Sequence, residues 1–407
     1  MVERASFPLI WFGVAAALTA AVSSAASPEP PANLETDDID ANVRRNNAGG
    51  PEENFDFLEE FATARERWRE ALGLEYAVTF HSVVAAALLG DGVPTAAGGD
   101  LTLQGIWKPW HRWMKEPTEL RFRLRSRHAF GDVAPSALRS ELGTLWGVTD
   151  GFSDSGFEIP DFYLRHFFPE HDLEFRYGQM TIDSQFDKHA LRSSKQAFLN
   201  QAFSADPAVA FPRFGAGFTI AKSFESGLEV TLGASTVQGT QSGDQVDFDV
   251  SSGDLFQALQ FGYDFSCRDD RTSRLQLLLW RSDAVDSAGT PEGEGASLTF
   301  EQELDGRDLR GFARLAWSTG GAAPVETLLS GGLAWSCQEN DLFGIAAGIG
   351  RGSGPGSPVQ IALESFYRWQ PEDGIRITPD VQLILGDDFN GGPGIRLIAG
   401  IRAGIEF

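Results

Sequence analysis

The stretch Leu120-Arg121-Phe122-Arg123-Leu124-Arg125-Ser126-Arg127 is the clearest strand in the sequence, and the fold class is read outward from it. Side chains of an extended chain alternate between two faces, so Leu120, Phe122 and Leu124 point one way. Arg121, Arg123, Arg125 and Arg127 point the other way. Guanidiniums of one sign on one face cannot sit in a dry core, because removing unpaired charges from water costs too much. The arginine face is therefore wet or lined by carboxylates. Two architectures offer such a strand: a soluble sheet with a solvated face, or a barrel with water inside and lipid outside. This strand alone does not choose between them.

Repetition chooses. Working outward, strand patterns fall near 74–89, 100–113, 118–128, 158–168, 172–180 and 211–221. Others follow near 228–238, 254–266, 274–283, 295–304, 308–317 and 326–336, and the last near 342–350, 359–368, 375–385 and 395–407. That makes about sixteen strands, several of roughly ten residues, the length that crosses a bilayer at a tilt. Tight turns such as 303–307, 336–340 and 370–374 alternate with longer loops such as 350–357 and 386–392. Short periplasmic turns opposite longer external loops are the asymmetry of an outer-membrane barrel. Regular apolar edges would aggregate if left open, and closure removes them. The final run, Leu397 to Phe407, alternates apolar with small or charged residues and stops on an aromatic, like the terminal strand that barrel-assembly machinery reads. The expected fold is all-β: a transmembrane antiparallel β-barrel over 73–407.

The segment before the barrel has a different period. Phe57, Phe61, Ala64 and Trp68 share one face at steps of three and four, which predicts an amphipathic periplasmic helix over 55–72. It either plugs or braces the periplasmic mouth, or simply packs under a β-domain. Residues 27–54 are rich in Pro, Asn, Asp and Gly and read as a disordered linker. The apolar run from Phe7 to about Val22, followed by small residues up to Ser27, reads as a signal peptide over 1–26. No other segment is apolar enough for a transmembrane helix.

The 45 Gly, 31 Phe and 10 Trp suit strands with one face in lipid and one in water, though a soluble sandwich shares such averages. The formal net charge of -24 argues against nucleic acid. Cys267 and Cys337 lie in predicted turns about four strand spacings of ~4.8 Å apart, roughly 19 Å. A disulfide needs Cα atoms within ~7 Å, so the two are not expected to pair. No histidine cluster, Cys-x-x-Cys or HExxH pattern suggests a metal site, and no cofactor is implied.

Three blocks carry a family resemblance. The first is the pre-barrel run Ala64 to Leu74. The second is Leu173-Glu174-Phe175-Arg176-Tyr177-Gly178-Gln179, followed by Phe186-Asp187 and Phe198-Leu199-Asn200, where Tyr177 and Gln179 make the Arg-Gly match approximate. The third is Gly374-Ile375-Arg376-Ile377-Thr378-Pro379-Asp380-Val381-Gln382-Leu383-Ile384. Together they resemble the carbohydrate-selective, OprB-like porin family over nearly the whole mature chain, from about residue 60. The resemblance implies a sixteen-stranded bacterial outer-membrane porin that passes monosaccharides or small oligosaccharides passively, as a monomer or a trimer. A general or anion-preferring porin, which would also pass ions, is the alternative, and a plugged structural or adhesive barrel is a third reading.

In such a pore, arginine forks donate to sugar hydroxyls and carboxylates accept from them. Arg121, Arg123, Arg125 and Arg127 form one candidate lumen stripe, and Arg176 is a second candidate resting partly on the family block. Each arginine could equally be an electrostatic strut paired with carboxylates. Long unpatterned loops are often functional. Two of them, within 129–157 and 181–210, are candidate constrictions. The first brings Trp146, Asp150, Asp154 and, at its edge, Glu158. The second brings Asp183, Asp187, Lys188, His189, Arg192, Lys195 and Asn200. Asp150 and Asp154 beside Glu158 imitate a paired-carboxylate hydrolase, but no nucleophile, base and orienting group stand together, so the chain does not read as an enzyme.

Overall fold

The computed structural model describes residue 39 and residues 56–89, 94–109, 118–240, 242–267, 271–305, 309–337, 340–372, 374–387 and 394–406. Side chains are not described for 56–63, 266, 267, 271, 272, 287 and 305. The expected signal peptide, the linker apart from Ile39, and Phe407 lie outside the described residues.

Sixteen strands, β1 (Leu74–Ala87) to β16 (Ile395–Glu406), form one closed antiparallel barrel. Each strand pairs with its sequence neighbours, and β1 closes on β16 through pairs such as Val84↔Ile401. The alternation in the sequence is the cause. Along β13 (Leu342–Gly352) buried and exposed positions alternate without a break from Gly344 onward. The outward row includes Leu315, Leu329, Ile345, Val381 and Ile401, all well exposed for bonding to lipid rather than protein.

The expected strands match closely except at three places, one of them the end of β14 (Val359–Glu372), which runs four residues past the expected 368. β2 is Thr95–Trp107, not 100–113, because Ala96, Gly98 and Gly99 continue the ladder without visible alternation. β6 starts at Gly215, four positions later than expected, since 211–214 still belong to the preceding loop. Glu158 is a wall residue of β4 (Gly156–Phe168), not a loop residue.

The helix α1 (Asp56–Leu72) stops at Gly73, whose φ of 68° suits a glycine, and whose N–H donates to Arg69 O at 3.0 Å. Trp68 rests on Tyr76 with ring centroids 5.4 Å apart, and Trp107 Nε1 donates to Leu72 O at 3.1 Å. Tyr76 and Trp107 belong to the outward rows of β1 and β2. The last turns of α1 thus pack against the outside of the barrel at the end where β1 begins.

The apolar core lies inside the barrel. The β3–β4 connection (130–155) and the β5–β6 connection (181–214) fold inward from the external end. Trp146, Phe198 and Phe203 from these loops pack with Phe312 and Phe366 of the wall. β13 makes room for them: its inward residues include Gly344, Gly348 and Gly350, and a Cβ on Gly350 would lie 2.6 Å from the Trp146 ring.

Candidate functional site

The arginine ladder of β3 (Thr118–Ala129) faces the lumen, and each rung meets a carboxylate. Arg127 Nε lies 2.7 Å from Asp100 Oδ2, Arg125 Nη2 lies 2.9 Å from Glu158 Oε2, and Arg123 Nε lies 3.4 Å from Asp161 Oδ2. Arg121 pairs with Glu119 on its own strand. Below it, Arg165 bridges Glu119 at 3.2 Å and Glu174 at 2.5 Å, and Arg176 pairs with Glu174. These are charge-assisted contacts that fix each guanidinium in place.

A bulge makes two of these pairs possible. Arg123 faces Asp161 and Arg125 faces Glu158, so three steps on β4 match two on β3. The extra residue puts Glu158 and Asp161 on the same face. Pro160, which has no N–H to donate, sits in this bulge, as prolines within sheets commonly do. The freed N–H of Ile159 donates to Gly243 O of the β7–β8 loop at 2.7 Å.

The 181–214 loop is tied to the opposite wall by buried polar groups. Arg314 on β11 (Leu309–Thr319) lies 2.7 Å from Asp187 Oδ2 and donates to Ala205 O at 2.5 Å. Thr299 Oγ1 donates to the same Asp187 at 2.7 Å, and Gln260 accepts from the Asp187 N–H at 2.7 Å. Glu364 accepts from the N–H groups of Leu199 and Asn200 at 2.5 and 2.9 Å. Asn200 Nδ2 donates to Gln382 at 2.9 Å, and Gln382 in turn donates to Val148 O of the first loop at 2.9 Å. Arg402 donates to Ser194 O at 2.5 Å and Ala197 O at 2.6 Å. Burial raises the Asp206 carboxyl although Arg314 opposes the shift. Burial, with Arg314 and Arg192 nearby, holds His189 well below the ordinary imidazole range.

Two spaces remain beside these loops, the smaller one against β1–β3 and β16. An external cavity of about 900 Å³ is lined by Arg125, Arg127, Asp150, Glu158, Asp183, Arg192 and Arg213 among others. It shares Arg125, Arg127 and Ser193 with a throat of about 30 Å³, which Thr79, His81, Asp100, Arg123, Lys195 and Glu406 complete. At ~10–15 Å³ of such volume per water, the throat holds about two waters.

The candidate residues therefore divide. Arg123, Arg125 and Arg127 line the throat, and Asp150, Glu158, Asp183 and Arg192 line the cavity above it. Arg121 and Arg176 face the lumen but line neither space. Asp154 lies at the exposed rim, accepting from Ala129 N at 3.2 Å. Trp146, Asp187 and Asn200 are buried in the loop packing rather than set on the path, and the Lys188 carbonyl accepts from Gln276. Lys195 of the second candidate loop also reaches the throat, while Asp100, His81 and Glu406 were not singled out from the sequence, although the inward alternation of β1, β2 and β16 contains them. Cys337 is a free, exposed thiol.

Residues 258–407 match the sequence model of the carbohydrate-selective porin OprB family. The fold agrees along the rest of the barrel. Pseudomonas putida OprB at high pH is similar with a TM-score of 0.70 at 13% identity, over 86% of this chain and 97% of that one. Its low-pH structure gives 0.57 at 11%, with the same 86% and 97%. The trimer form of Vibrio cholerae OmpT gives 0.51 at 9%, over 82% and 99%. No curated protein matches the chain. The chain has the closed barrel fold of a porin, and the partial family match together with this fold points to a channel rather than an enzyme.

Proposed function

We propose that the barrel passes small neutral sugars passively, through the cavity and throat along β1–β4. The observation that supports this reading is the pairing of charges along the throat. Arg123, Arg125 and Arg127 each meet a carboxylate, Asp161, Glu158 and Asp100, and Lys195 lies 3.3 Å from Asp100. Paired cations and carboxylates give a wall with many fixed donors and acceptors. Hydroxyls both donate and accept, so a sugar can exchange its water for this wall at each step, and weak successive sites permit conduction.

The throat has room for about two waters, so a sugar ring passes only as the long Arg and Lys195 side chains swing aside. Transport should therefore saturate. The test is single-channel conductance of the refolded mature chain, titrated first with neutral sugars and then with a sugar acid. Concentration-dependent block by neutral sugars is expected. Equal or stronger block by the sugar acid would favour the anion-preferring reading. A folded barrel without conductance would leave a structural role.

A further inference from the structure

Gln179 stands on an unexpected side of the wall for a polar side chain. On β5 (Leu173–Met180) it shares a face with Phe175 and Tyr177, and Tyr177 is 44% exposed on the outward row that a porin barrel turns to lipid. An amide at the end of that row would ordinarily meet headgroups or water, yet Gln179 is 0% exposed. Ala216, its partner on β6 (Gly215–Ser223), is buried as well, while Phe218 two positions further on is exposed. The outward face is therefore covered at the external end of β5 and β6.

The cover is the β7–β8 loop, described at 237–240 and 242–254. Gly243 O accepts from the Ile159 N–H at 2.7 Å, and a Cβ on Gly243 would lie 3.3 Å from Glu158 Cγ, so this residue sits at the edge of the cavity. The chain then crosses the rim. Gln179 Nε2 donates to Ile159 O and, at 3.3 Å, to Gln245 O, and Gln179 Oε1 accepts from the Asp247 N–H at 2.6 Å. A carboxamide that takes a carbonyl and an N–H two residues apart holds the loop backbone much as a neighbouring strand would. The loop is thus fastened to the outer side of the wall by a buried amide with its partners in place.

The fastened loop is apolar at every second position. Val246, Phe248 and Val250 are exposed, Phe248 at 55% and Val250 at 59%, and they alternate with Asp247 and Asp249. Asp247 accepts from the Asp249 N–H and Asp249 from the Ser251 N–H, both at 2.8 Å, so the carboxylates serve the loop's own backbone. Three large apolar side chains set together in water are unfavourable, and such a patch marks a contact surface. Here the contact is at hand. The loop lies just beyond the outward row of Tyr177 and Phe218, at the level where membrane barrels carry their aromatic girdle.

We propose that the β7–β8 loop is a membrane-interface anchor, fastened by Gln179, that sets Val246, Phe248 and Val250 at the boundary between the headgroups and acyl chains of the outer leaflet. Continuity with the lipid-facing belt assigns this apolar row to lipid and not to a second copy of the chain. Such seating needs only the barrel in a bilayer and is independent of what the lumen passes.

The experiment uses the refolded mature chain in a background of Cys267→Ser and Cys337→Ser, labelled with a bimane at Phe248→Cys or, separately, at Asp249→Cys. Each variant is checked for heat-modifiable mobility and placed in phosphatidylcholine vesicles, with or without a lipid bearing a nitroxide high on its acyl chain. Iodide is the aqueous quencher. At position 248 the nitroxide lipid is expected to quench several times more strongly than at 249, and iodide several times less. Adding Gln179→Ala, which removes the fastening amide, should bring position 248 to the behaviour of 249; a label unmoved by this change would overturn the role of Gln179. Equal quenching by iodide at both positions, with none by the lipid, would overturn the anchor. A label at 248 shielded from iodide but untouched by the lipid, with energy transfer between labelled copies, would give the row to a second copy of the chain and overturn the lipid assignment. Conductance is not read, so a failure of sugar passage leaves each of these outcomes standing.

Discussion

Arg123 and Asp161 meet across β3 and β4, Nε to Oδ2 at 3.4 Å, because β4 carries one residue more than its partner between positions 158 and 161. Without the bulge, Asp161 would share a face with Ile159 and point toward lipid, and Arg123 would lose its counter-charge. The same insertion frees the Ile159 N–H to hold the β7–β8 loop over the cavity. One irregularity in one strand thus gives both Arg123 and Arg125 their counter-charges and ties the β7–β8 loop to the wall.

Asp161→Asn should disturb selectivity more than folding. Breaking a buried pair by removing one partner costs about 3–5 kcal/mol locally, while the sixteen-strand ladder is left intact. The throat gains one net positive charge. The zero-current potential in a salt gradient is expected to move toward anion selectivity, and block by neutral sugars to weaken. An unchanged potential would mean that Arg123 does not face the conducting water.

Arg314→Met should loosen the constriction. Arg314 holds Asp187 at 2.7 Å and approaches Asp206 at 3.7 Å, both from the 181–214 loop. Its loss leaves two buried carboxylates without their cation, again a cost of about 3–5 kcal/mol. The loop is expected to leave the wall for part of the time, giving a larger and noisier single-channel current with weaker sugar block. Restoring the charge with Arg314→Lys should recover only part of the effect, since lysine cannot reproduce the forked geometry.

The barrel was legible because two-residue alternation is a local signal. Leu120-Arg121-Phe122-Arg123 announces its own two faces, and most of the other strands do the same. The inward loops were legible as long, unpatterned stretches. Which of their residues face water was not. Asp150 and Asp187 look alike in sequence, yet one lines the cavity and the other is buried on Arg314. That difference arises from contacts separated by more than a hundred positions, such as Thr299 to Asp187. The glycine row of β13 gave a faint signal of where the loops dock, because small inward residues leave space for large partners.

Gly178→Ala should impair assembly without altering the pore. Gly178 has φ of +143°, a backbone conformation that other residues rarely adopt, and an added Cβ would lie 2.6 Å from Phe162 O and 2.7 Å from Tyr163 Cα. Holding alanine there costs on the order of 1–3 kcal/mol. A lower refolding yield in detergent is expected, while the surviving heat-modifiable barrels keep their unitary conductance. A yield equal to that of the parent would show that β4 and β5 yield at this point.

His189 should make the docking of the 181–214 loop sensitive to acid. Its ring stacks on Phe312 with centroids 4.0 Å apart and an interplanar angle of 21°. Burial first, then Arg314 and Arg192, hold the ring well below the ordinary imidazole range, so the docked loop keeps it neutral. A released loop exposes an imidazole that takes up a proton below about pH 6.5. Docking is therefore fully favoured above that value, and acid progressively favours release as the pH falls below it. Channel current from the parent should grow noisier on acidification from neutral pH, with weaker sugar block. His189→Phe keeps the stacking surface on Phe312 but cannot take the proton, so its current should lose this acid response. If His189→Phe and the parent respond to acid alike, the sensitivity belongs to the carboxylates of the throat instead.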